Sequence, residues 1–159
     1  MNRFSRSGLL IALLLAFGAS GALAQPAASP VGQWRTIDDE SGQARSIVEI
    51  YEKDGALHGK VVEILRASDE AQRNSEGQVI CTACEGERKN QPVEGMVILW
   101  GLEKDGDEWT GGNIIDPENG NTYSAKMGLD GADRLDVRGY RGVSLFGRTQ
   151  TWQRVTADS

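Results

Sequence analysis

The sequence predicts an all-β protein: eight antiparallel strands that run up and down and close into a barrel. Three observations carry this. Strand-like runs of alternating polarity recur along most of the chain, and no long amphipathic helical pattern interrupts them. The chain holds 20 glycines and only 4 prolines, which suits a protein made of many turns. Three of its connections carry Asp-Gly, the pair that tolerates the positive φ of a tight hairpin.

The first residues stand outside this pattern. Arg3 and Arg6 precede the apolar run GLLIALLLAFGASGALA, and Ala22-Leu23-Ala24 has the small-x-small form of a signal-peptidase site. Residues 1–24 therefore read as a secretory signal peptide cut before Gln25, and residues 25–30 as a short flexible tether. The run is short for a membrane span and no second one exists, so no span is expected. No cysteine stands at the cut, so a lipid anchor is not expected either. The predicted location is the periplasm or the exterior. Removal of the leader lowers Lys+Arg from 17 to 15 against 23 Asp+Glu, a net charge of −8. So acidic a domain is a poor partner for nucleic acid.

The strands are predicted at residues 33–38, 45–53, 57–65, 96–103, 108–116, 122–129, 134–140 and 146–155. Leu57, Val61 and Leu65 share one parity, as do Tyr123, Ala125, Met127 and Leu129, and Leu135 with Val137. Between strands, KDGAL, KDGDE and DGADR alternate with the other connections, DESGQ, PENGN, RGVSL and a segment of about thirty residues from 66 to 95. Within that segment residues 68–74 are expected to form one helical turn with Ser68 as N-cap. In an up-and-down chain the three Asp-Gly turns must all fall at one pole and the other connections at the opposite pole. Closure removes the exposed sheet edges and leaves room for one small ligand.

Closure also makes the first and last strands neighbours. The last strand, Gly147-Arg-Thr-Gln-Thr-Trp-Gln-Arg154, has no purely apolar face. Arg154 and Trp34 both belong to the tight pole, so the guanidinium is expected to stack on the indole and to reach backbone carbonyls near the N-terminus, plugging the floor. Higher up, Trp100, Asp116, Tyr123, Arg138, Tyr140 and Arg148 fall in the half nearer the longer loops. These six, with Trp34 below, are the candidate ligand-binding residues. A cationic upper cavity would suit an amphipathic molecule with an anionic head on Arg138 and Arg148 and a tail toward Trp34 and Trp100. The competing reading has both arginines neutralised internally by Asp116 or Asp38. Parity adds a warning, since Arg138 and Tyr140 share a face with Asp136, opposite Leu135 and Val137.

Cys81-Thr-Ala-Cys84 is expected to form a structural disulfide that staples the long connection, because two cysteines in an exported chain usually pair and no helix follows to activate a redox thiol. Two cysteines and one histidine are too few for a zinc site. Residues 116–121 lack the spacing and final Glu of a calcium-binding EF-hand and read as a turn. His58 has no indicated partner, so no catalytic residue and no cofactor is assigned.

Gly32-Gln33-Trp34 with a terminal arginine resembles the opening and closing signature of the lipocalin and calycin barrels. Over residues 31–154 the segments GQWRTIDDESG, GALHGKVVEI, CTAC, GMVILWGL, GGNIIDPENGNTYSAKM and LDVRGYRGVSLFGRTQTWQR resemble an uncharacterised family of exported bacterial proteins, domain of unknown function 2147. The resemblance implies a lipocalin-like barrel and brings no activity, substrate or catalytic residue. The expectation is thus a carrier or sensor of a small hydrophobic or amphipathic molecule. A module that docks its rim on another envelope protein is the second class, and a thiol-redox or other enzyme the third.

Overall fold

The computed structural model describes residues 28–156. The predicted leader and residues 25–27 lie outside them. Eight strands follow one another: β1 (Gly32–Ile37), β2 (Ala44–Lys53), β3 (Ala56–Ile64), β4 (Val97–Asp105), β5 (Glu108–Ile115), β6 (Thr122–Leu129), β7 (Arg134–Tyr140) and β8 (Gly147–Arg154). Each pairs antiparallel with its sequence neighbour, and β8 pairs back on β1, so the sheet is a closed barrel. Every strand begins and ends within two residues of its predicted bounds. Among the described residues the one helix is a 3₁₀ turn, Gly86–Arg88. The helical turn expected from Ser68 is absent. Ala71 N donates to Ser68 O, but residues 69–70 form an isolated turn and the chain then extends into a bridge at Arg73.

Turn chemistry sets the poles. Lys53 faces Ala56 across Asp54-Gly55, which have φ of 54° and 80°. Both residues need the left-handed region, and the Asp-Gly pair supplies it at low steric cost. Asp105 faces Glu108 across Gly106-Asp107, and Asp130 N donates to Arg134 O at the β6–β7 turn. These three turns close one pole, and the remaining connections lie at the other.

The barrel is filled only in its lower half. Trp34, Val48, Ile50, Leu102, Met127 and Leu135 are fully buried there. Gly59 lets them close up, since a Cβ on it would lie 3.0 Å from Leu99 Cβ and 3.1 Å from Ile50 Cδ1. Outside, polar side chains pair across strands: Lys60 with Glu49 at 3.2 Å, Lys126 with Glu108 at 2.8 Å, and Tyr51 stacked on His58 at 5.7 Å. This in-out alternation is the period of 2 that a one-sided sheet requires.

The floor is built as expected. Arg154 stacks 4.1 Å from the Trp34 ring centroid and donates to Ala132 O and Ser29 O at 2.7 Å and to Val31 O at 3.2 Å. Trp34 Nε1 donates to Pro30 O at 2.8 Å, and Pro30 is buried. Ser29 and Pro30, read from sequence as flexible tether, are therefore pinned under the barrel: two carbonyls there satisfy donors that the floor would otherwise leave unpaired.

The long β3–β4 connection is ordered. Arg73 bridges to Val79 and Ile80 to Pro92. Cys81 and Cys84 are joined by a disulfide, and both are buried. Gly120 of the β5–β6 turn seats this staple: it has φ of 72°, and a Cβ there would fall 2.1 Å from Ala83 O.

Candidate ligand cavity

Above the filled half, the barrel opens into a cavity of about 870 Å³ that reaches the pole of longer loops. Its wall is partly apolar. Val61, Ile98, Ile114, Ile115, Val137 and Trp152 line it from the strands, while Val79, Ile80 and Val93 line it from the β3–β4 connection. The connection is thus part of the cavity wall. Its burial of Val93 helps to order a long segment whose own regular structure is one 3₁₀ turn and two isolated bridges. In β8, Trp152 and Gln150 point inward with Leu135 and Val137 of β7 facing them in register. The strand that lacks an apolar face from sequence is therefore lined up with three environments: Arg154 under the floor, Trp152 and Gln150 in the wall, and Arg148 at the mouth.

Polar groups ring the mouth, and most are spoken for. Arg45, at the start of β2, bonds Asp38 at 3.2 Å and pairs closely with Glu118 of the β5–β6 turn. Arg148 donates to Asp39 at 2.5 Å. Hydrogen bonds from the Ser41 hydroxyl and backbone N–H, with Arg45 alongside, hold the Asp38 carboxyl at about 2 against an ordinary 3.8. Desolvation pulls the Arg45 guanidinium down, but the carboxylates of Glu118 and Asp38 win and raise it. Asp116 accepts from the backbone N–H of Glu118 at 2.9 Å and from the Asn119 side chain at 2.8 Å, which fixes the turn it was expected to form. Tyr123 faces the cavity, and Arg141 lies 4.9 Å over its ring.

Of the candidate residues, Asp116, Tyr123, Tyr140 and Arg148 border the cavity. Three expected contacts do not face it. Trp34 belongs to the filled floor. Trp100 lies beneath the 3₁₀ turn, with the Arg88 guanidinium 4.6 Å from its ring. A positive φ at Gly101 marks local irregularity in β4, where Ile98 and Leu99 are both buried and strict alternation breaks. Arg138 points outward, as the parity of Leu135 and Val137 requires. It donates to Ser144 O at 2.7 Å, Leu145 O at 3.1 Å and Thr149 Oγ1 at 2.8 Å. The upper cavity accordingly mixes aliphatic and neutral polar side chains under a mixed-charge rim, and is not cationic throughout. The competing internal pairing is not present either: Arg138 bonds only carbonyls and a hydroxyl, and Arg148 pairs with Asp39 at the exposed rim, while Asp38 and Glu118 hold Arg45 instead.

Sequence reasoning missed Arg45, Gln150 and the cavity-facing residues of the β3–β4 connection. Gln150 was recoverable, since it shares parity with Trp152. Arg45 carries no local signal, because its second partner lies 73 residues away.

A family model described as an uncharacterized protein conserved in bacteria, DUF2147, matches residues 32–154. No curated protein matches the chain. Among solved structures, HP1028 from the human pathogen Helicobacter pylori, described as belonging to the lipocalin family, is similar with a TM-score of 0.67. It is 19% identical, and the match covers 82% of this chain and 86% of that one. The likeness is one of fold: a closed, eight-stranded, up-and-down barrel.

Proposed function

We propose that this chain, which belongs to the conserved bacterial family DUF2147, is an exported carrier or sensor that holds a small hydrophobic or amphipathic molecule in its barrel. The observation that supports this reading is the cavity: about 870 Å³, lined by aliphatic side chains and Trp152 together with Thr36, Ser46 and Gln150, and continuous with the rim. That is the size of a small-molecule site, with apolar side chains to bury the ligand and polar groups to orient it. Leader removal would release the mature chain to the periplasm or beyond. The ligand's apolar part would lie against Val61, Val137 and Trp152, and its polar end at the mouth between Arg45 and Arg148. Both guanidiniums already hold carboxylates, so an anionic head would have to displace Asp39 from Arg148. A neutral or weakly polar head meets no such cost. No residue in the cavity is assigned a catalytic role.

Native mass spectrometry of protein recovered from its own host is expected to show a retained small molecule. In parallel, a nitroxide-labelled fatty acid is expected to quench tryptophan fluorescence saturably. Trp152→Phe should remove most of that quenching, and Val137→Phe, which narrows the cavity, should weaken binding. Quenching that is absent, or that survives Trp152→Phe unchanged, would overturn the cavity as the ligand site.

A further inference from the structure

The connection between β7 and β8 carries an apolar group that the cavity explains only in part, since Phe146 borders its mouth and Val143 and Leu145 do not. Val143, Leu145 and Phe146 are 59%, 79% and 72% exposed. Large apolar side chains at such exposure form a projecting tip, not a flat patch. A short loop beside a partly apolar cavity has an obvious way to hide them, by folding over the mouth. Here only Phe146 borders the mouth, and Val143 and Leu145 are held out from it. Arg138, from the outer face of β7, donates to the carbonyls of Ser144 and Leu145 and to the Thr149 hydroxyl, and so fixes the tip in its exposed form.

The charge around the tip is unlike that of the rest of the chain. Residues 138–148 contain Arg138, Arg141 and Arg148 and no Asp or Glu, within a chain of net charge −6. Arg148 is matched by Asp39. Arg138 bonds only carbonyls and a hydroxyl, and Arg141 stacks on Tyr123, so neither is paired with a carboxylate among the described residues.

We propose that this tip docks the barrel, mouth first, on a membrane surface bearing anionic phospholipid headgroups. A convex apolar tip suits insertion into a soft interface, where Leu145 and Phe146 enter the headgroup boundary and flanking guanidiniums meet phosphate. At the same mouth Asp38 and Glu118 are paired with Arg45 and Asp39 with Arg148, and the acidic groups of the far pole stay in water. The tip shares Phe146 and Arg141 with the cavity mouth, while Leu145 and Val143 lie outside it.

The native cysteines are joined in a disulfide, so a single added thiol can be labelled. Ser144→Cys carrying an environment-sensitive fluorophore reports on the tip, and Asp107→Cys, in the β4–β5 turn, reports on the opposite pole. Vesicles of equimolar phosphatidylglycerol and phosphatidylcholine are expected to brighten and blue-shift the label at residue 144 and shield it from aqueous quencher. The label at 107 should not change, so lipid contact by the N-terminal residues would be read separately. Vesicles of phosphatidylcholine alone should respond weakly. Leu145→Asp with Phe146→Asp should abolish the signal while circular dichroism and melting stay those of the parent. Arg141→Gln should weaken partitioning about fivefold, the worth of one cation near an anionic surface. An unchanged label at residue 144, or a signal indifferent to the double substitution, overturns the proposal. A tip that instead shifts only on mixing with a soluble protein overturns it in favour of a protein partner.

Discussion

The seam between β1 and β8 is the narrowest in the barrel, and its stability is the most exposed to test. Only Trp34 with Arg154 and Arg35 with Gln153 are in register there, against seven pairs between β7 and β8. Closure therefore leans on side chains. Arg154→Met keeps the aliphatic stem over the indole and removes three hydrogen bonds and the cation. Each charged bond to a carbonyl at a partly exposed site contributes about 1 kcal/mol, and the stack about another 1 kcal/mol. With the 3.2 Å bond to Val31 discounted as the weakest, the expected loss is roughly 3 kcal/mol. For a domain of this size that lowers the melting temperature by about 10 °C. Urea unfolding followed by tryptophan fluorescence should show a lower midpoint with an unchanged m-value. Arg154→Lys should recover only the stacking part, because one ammonium cannot reach three carbonyls that a planar fork spans. Trp34→Phe should cost about 1 kcal/mol less in the Arg154→Met background than in the parent, which isolates the stack. A loss under about 0.5 kcal/mol, or no coupling to Trp34, would refute the view that these two side chains close the barrel.

Asp38 predicts an acid response: its depressed carboxyl contributes stability in full above about 3.8, and this is lost as the pH falls through about 2. The stability difference between the parent and Asp38→Asn should therefore shrink across that window in acid unfolding curves, and a constant difference would sink the assignment. Replacing Cys81 and Cys84 by serine should cost about 2 kcal/mol, the small loop-closure entropy of a bridge only three residues apart, and should loosen the β3–β4 connection in hydrogen exchange more than the strands. Gly120→Ala should cost about 1–3 kcal/mol because its Cβ collides with the Ala83 carbonyl, and should speed reduction of the disulfide. A neutral Gly120→Ala would mean that the staple does not rest on the β5–β6 turn.

Local sequence wrote much of the fold. Asp54-Gly55 states a hairpin and its register by itself, because the φ values it needs belong to those residue types. Trp34 and Arg154 could be paired from sequence because up-and-down connectivity leaves the ends of a closed barrel no other neighbour. The alternation of Leu135 and Val137 settled the direction of Arg138 once the inside was known. The β3–β4 connection was illegible for the opposite reason. Its order comes from Val79, Ile80 and Val93 finding the cavity, and from Cys84 and Ala83 finding Gly120, contacts that no spacing encodes. Trp100 was misplaced because bulges in β4 break the period on which a facing argument rests.

By itself, then, the sequence determined the strand count, the turns and the closure, since these follow from backbone preferences and a period of 2. Which half of the barrel is filled, which carboxylate holds which arginine, and which side chains line the cavity above Trp152 were decided only when distant segments met. Burial and charge pairing depend on distances between residues far apart in the chain, and only the closed barrel sets those distances.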